Sequence, residues 1–77
     1  MTVTLQPVRV AAGEQGDGQL VFADGELVAL LVRLSEAHEG LAGHWFLEFG
    51  LGRLGRGQHP SFADLHAAQS WIEARLN

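Results

Sequence analysis

The sequence predicts an α+β domain: an antiparallel three- to four-stranded sheet, a meander, with one C-terminal helix packed on one face. Three observations predict it. Residues alternate with a period of two from His44 to Leu51, an Asp24-Gly25 dipeptide sits between two apolar runs, and an apolar stripe of helical period runs from Phe62 to Leu76. The 77 residues read as one domain, 1–77, in the order β-β-β-β-α.

Thr2 to Ala11 reads as the first strand, with Val3 and Leu5 on one parity and Val8 and Val10 on the other. The parity changes at Gln6-Pro7; proline has no N–H for a ladder, so an edge position or a bulge is expected there. Ala12 to Gly18 is a polar loop, and Gln19 to Ala23 a short strand. Asp24-Gly25 favours a two-residue hairpin turn. Leu27 to Leu34 fits either of two elements. Its unbroken apolar run suits a buried strand, whereas Leu27, Leu30, Leu31 and Leu34 also fit a helical stripe. Val28, Val32 and the preceding turn favour the strand.

Ser35 to Gly43 is a polar connection. In the next strand Trp45, Leu47, Phe49 and Leu51 share one face and His44, Phe46, Glu48 and Gly50 the other. A glycine-rich loop, 52–60, leads to a helix over 61–76, with Ser61 as cap and Asp64 at the capping-box position. Phe62, Leu65, Ala68, Ile72 and Leu76 form its apolar stripe. The expected core is Val28, Leu30, Val32, Trp45, Leu47, Phe49 and that stripe.

Composition excludes several classes of function. Without cysteine there is no disulfide, thiolate metal site or thiol catalysis. Nine acidic residues against five basic ones give a net charge of −4, and all five cations are arginines, as a GC-rich coding sequence would produce. Nucleic-acid binding draws on clustered cations, so this balance argues against it. No apolar run reaches the roughly 18 residues of a membrane span, and no basic region followed by an apolar stretch opens the chain. A soluble, cytoplasmic protein is the expectation.

Gly50-Leu51-Gly52-Arg53-Leu54-Gly55 is a literal G-x-G-x-x-G after a strand. The helix follows too late, beyond a proline, and the strands form a meander, so a dinucleotide site is not expected. Arg53 and Arg56 among glycines remain candidates for holding a phosphate or carboxylate. The four histidines (His38, His44, His59, His66) lack the i, i+4 spacing of a helical metal pair, and no metal or cofactor is expected. Ser35, Ser61 and Ser70 lie in no nucleophile elbow, and Glu48 is the one acid embedded in a strand. A non-catalytic role follows.

The order of elements resembles that of the DNA-binding modules of plant ethylene-response factors and the arm-binding domains of phage-type integrases. In those families arginines and aromatics on the open sheet face enter the major groove. Here the expected open face carries Arg33 alone, so no residue is carried across.

Partner binding is the remaining expectation. With Phe22 opposite Leu27 across the turn, regular alternation puts Leu20, Phe22, Leu27, Ala29 and Leu31 on one face. Val28, Leu30, Val32 and Leu34 then join Trp45, Leu47 and Phe49 beneath the helix. A helix covers only one face, so the first set is exposed unless the initial strand and a Pro7 bulge curl over it. Self-association, or binding of another protein, through Leu20, Phe22, Leu27, Ala29 and Leu31 is the expected use of that face.

Overall fold

The computed structural model describes residues 2–11, 16–35, 40–57 and 59–76. Five antiparallel strands form one sheet in the order of the chain: β1 (Val3–Arg9), β2 (Asp17–Ala23), β3 (Glu26–Arg33), β4 (Trp45–Gly50) and β5 (Ser61–Phe62). A 3-10 turn over Gly52–Gly55 and a helix, α1 (Leu65–Leu76), complete the elements of the described residues. The α+β meander with a C-terminal helix is therefore present, with one strand more than expected.

That additional strand comes from the predicted start of the helix. Ser61 pairs with Phe46 and Phe62 with Trp45, which occupies part of the outer edge of β4. The helix begins four residues later because Asp64, not Ser61, is its cap: Asp64 Oδ1 accepts a hydrogen bond from the Ala67 N–H at 2.8 Å. Phe62 keeps its place in the core, but from a strand.

The segment from Leu27 is a strand, as its valines indicated. Asp24 and Gly25 take φ of 51° and 85°, both left-handed, which is the backbone a two-residue hairpin turn requires. The Asp24 N–H donates to the Thr2 carbonyl, and the Thr2 N–H donates to Asp24 Oδ1, each at 2.8 Å. This ties the start of β1 to the turn. β1 then pairs with β2 without interruption from Val3–Ala23 to Arg9–Asp17. Pro7 sits on an edge strand, as expected, but no bulge accompanies it. The strand is apolar on both parities because it serves both faces, and it extends the sheet instead of folding over it.

Two irregularities lie elsewhere. Between β2 and β3 the pairing passes from Phe22–Leu27 to Val21–Ala29, leaving Val28 as an extra residue. Between β3 and β4 it passes from Leu30–Phe49 to Leu31–Leu47, leaving Glu48 as the extra residue. Each bulge reverses which parity faces the helix. The core beneath α1 therefore holds Val3, Val21, Ala23, Ala29, Leu31, Leu47, Leu54, Phe62, Ala68 and Ile72, with Leu5, Val28, Trp45, Leu65, Trp71 and Leu76 packed against it. Leu30, Val32 and Phe49, expected in that core, lie on the opposite face instead.

α1 crosses the sheet from β5 toward the Asp24-Gly25 end. Trp71 packs on Phe62 at 5.6 Å between ring centroids, and Gln69 Nε2 donates to the Val3 carbonyl at 3.3 Å. The Arg75 guanidinium lies 4.6 Å from the Trp71 ring centroid, a cation–π contact on the solvent side.

Candidate functional site

The register places three cross-strand rows on the face away from the helix. The first runs Val8–Gly18–Val32–Phe46–Ser61, the second Gln6–Leu20–Leu30–Phe49 and the third Thr4–Phe22–Leu27. None of these residues is charged. Leu20, Phe22, Leu30, Phe46 and Phe49 are half-buried, Val32 is buried and Leu27 is exposed. None of them belongs to the core cluster beneath α1. The 3-10 turn shares that core through Leu54, so turn and helix both lie on the other side.

The edges of this face are defined by two local contacts. Val8 and Val10 close over Gly18, where an added Cβ would lie 3.3 and 3.1 Å from their methyl carbons. His59 stacks on Phe46 with ring centroids 6.1 Å apart, while its Nδ1 donates to the Leu47 carbonyl at 2.9 Å. Both contacts leave the middle rows uncovered among the described residues.

Of the five residues expected on the open face, Leu20, Phe22 and Leu27 are there. Ala29 and Leu31 are not; both are fully buried in the core, because the Val28 bulge exchanges them with Leu30 and Val32. Arg33 moves with Leu31 to the helix side for the same reason. Phe46 and Phe49 complete the patch. Phe46 was expected on the parity opposite Trp45, but Phe49 reaches this face only through the Glu48 bulge.

The glycine-rich segment is a packed turn. A Cβ on Gly50 would lie 2.6 Å from the Leu54 carbonyl carbon, and one on Gly55 2.7 Å from the Gly50 oxygen. Gly52 has a φ of 59°. All three glycines of the G-x-G-x-x-G string are thus required by the turn that drives Leu54 into the core. Arg53 and Arg56 are exposed. Arg53 lines a shallow cleft of about 410 Å³ beside Asp24 and Glu26, and Arg56 lies outside it. The carboxylates in that cleft oppose an anion there.

A second pair of arginines does converge. Arg9, Asp17, Arg33 and Trp45 form a row across four strands at the end of the sheet away from the Asp24-Gly25 turn, on the helix side. Arg9 Nη1 lies 2.8 Å from Asp17 Oδ1, and Arg33 Nη1 lies 3.9 Å from Asp17 Oδ2. With Pro7 and Gln19 they line a cleft of about 430 Å³. These residues come from four separate strands, so no spacing in the sequence brings them together.

Among the described residues, no three His, Asp or Glu side chains gather as metal ligands, and no helix is long and apolar enough to cross a membrane. Glu36, His38 and Glu39 lie outside the described residues, as do residues 12–15 of the first loop and Gln58 of the loop before the helix. No protein-family model matches this chain, and no curated protein or solved structure matches it.

Proposed function

We propose that the chain is a non-catalytic interaction module that pairs with a second copy of itself through the sheet face opposite α1. The observation that supports this most is the composition of that face: Leu20, Phe22, Leu27, Leu30, Phe46 and Phe49 lie in adjacent register around the buried Val32, with no charged residue paired among them. In a chain of net charge −4, an uncharged patch of this kind is where two copies meet without like-charge repulsion.

Sheet spacing sets the scale of the contact. Four strands about 4.8 Å apart, each contributing about 20 Å of length, present a footprint near 400 Å². Two such faces stack about 10 Å apart with interdigitating side chains. The buried area is at the low end for a specific interface, so a micromolar equilibrium is expected, not an obligate dimer. An added contact matters for a 77-residue chain without cysteine, because domains of this size bury too little surface for a wide stability margin.

Sedimentation velocity from about 1 to 500 μM tests the proposal. The expected result is a shift from the 8.3 kDa chain mass toward twice that value. Phe22→Glu should fold and remain at the monomer mass throughout. A wild-type chain that stays monomeric across this range would overturn the reading.

A further inference from the structure

We propose that the corner cleft lined by Pro7, Arg9, Asp17, Gln19, Arg33 and Trp45 binds a small molecule in which a flat ring carries an anionic group. The cleft reaches the end of the sheet, where Val8 and Gly18 also line it. The Arg9, Asp17, Arg33 and Trp45 row that carries the proposal lies on the helix side, away from the face of self-association.

Charge supports the anionic half. Among the described residues, two guanidiniums share one carboxylate, which leaves a net positive corner on a chain of net charge −4. Asp17 is engaged at hydrogen-bond distance by Arg9, whereas its separation from Arg33 is 3.9 Å, beyond a hydrogen bond. The side chain of Arg33 is 46% exposed, so its planar fork of donors remains available to a phosphate or carboxylate. Gly43 adds no obstruction, since even an added Cβ would stand 3.9 Å from the Arg33 Nη2.

Shape supports the ring. Pro7 and Trp45 provide apolar walls to an open cleft of about 430 Å³, a volume that reaches the lower range of small-molecule sites. α1 starts near β5 and heads toward the other end of the sheet, and none of its residues lines this cleft. A purely structural account of the charged row explains less. Exposed pairs of this kind contribute little to stability, and the apolar rows already fix the strand register.

Asp17 supplies the discriminating test, because it competes with any incoming anion for the same arginines. Trp71→Phe leaves Trp45 as the one tryptophan of the chain, and its emission reports on the cleft. The probes are adenosine 5′-monophosphate, benzoate, adenosine and inorganic phosphate. A saturable change is expected with the nucleotide or with benzoate, at least tenfold tighter than with adenosine or phosphate alone. The better of the two anionic probes distinguishes a phosphate from a carboxylate ligand. Arg33→Ala should weaken binding tenfold or more, and Asp17→Asn should tighten it several-fold. If the reporter variant does not fold, calorimetric titration of the unmodified chain and of Asp17→Asn gives the same comparison. No saturable binding of either anionic probe at millimolar concentration, equal binding of neutral adenosine, or Asp17→Asn binding no more tightly than the parent would overturn the proposal.

Discussion

Val21 lies opposite Ala29 across β2 and β3, although its neighbour Phe22 lies opposite Leu27. The residue between them, Val28, has no partner on β2, and this insertion decides which half of an all-apolar strand meets the helix. Downstream of it, Ala29 and Leu31 are fully buried, while Leu30 is half-buried on the far face.

This arrangement separates two adjacent leucines energetically. Leu31→Ala should cost about 2–5 kcal/mol, the usual price of truncating a buried leucine. Leu30→Ala should cost less than half as much in the monomer, because its side chain is partly solvated already. Urea unfolding at low protein concentration, where dimer is absent, measures both. Equal costs would mean that the bulge does not set the faces.

The helix cap gives a second contrast. Asp64→Ala removes the acceptor for the Ala67 N–H and should lower stability by about 1 kcal/mol. Ser61→Ala should change it by no more than about 0.5 kcal/mol, since Ser61 is exposed and precedes the helix. Thermal unfolding followed by far-ultraviolet circular dichroism at low concentration compares the two.

Gly50 should not accept a side chain. Its added Cβ meets the Leu54 backbone, which cannot move without withdrawing Leu54 from the core, so Gly50→Ala should cost about 1–3 kcal/mol. Gly57 offers a control in denaturant unfolding: nothing lies within 4 Å of its added Cβ, and any loss in Gly57→Ala arises from its φ of 87° alone.

At the hairpin, Asp24 combines a φ of 51° with a carboxylate that accepts from Thr2. Asn tolerates that backbone and offers the same acceptor, so Asp24→Asn should be nearly neutral. Asp24→Ala loses both and should cost about 1–2 kcal/mol by denaturant unfolding.

The hairpin and the helical stripe were legible because each carries a mark that one geometry explains: Asp24-Gly25 for the turn, and the spacing of Leu65, Ala68, Ile72 and Leu76 for the helix. The faces of β3 were not. In Leu-Val-Ala-Leu-Leu-Val every residue is apolar, so no polar side chain marks the parity and an extra residue passes unnoticed. The Glu48 bulge hid similarly, since Phe46, Leu47 and Phe49 are apolar on both sides of it. The row of Arg9, Asp17, Arg33 and Trp45 depends on register across three strand pairs, which local pattern does not encode. β5 was concealed by Ser61, a residue suited to capping that pairs with Phe46 instead.

The most direct test of self-association through the far face is an isotope-filtered nuclear Overhauser experiment on a mixture of labelled and unlabelled chains at several hundred micromolar. Contacts are predicted between the methyl groups of Leu20, Leu27 and Leu30 in one copy and the rings of Phe22, Phe46 and Phe49 in the other. Intermolecular contacts confined to exposed Leu41 and Leu51, or none at all, would contradict the account.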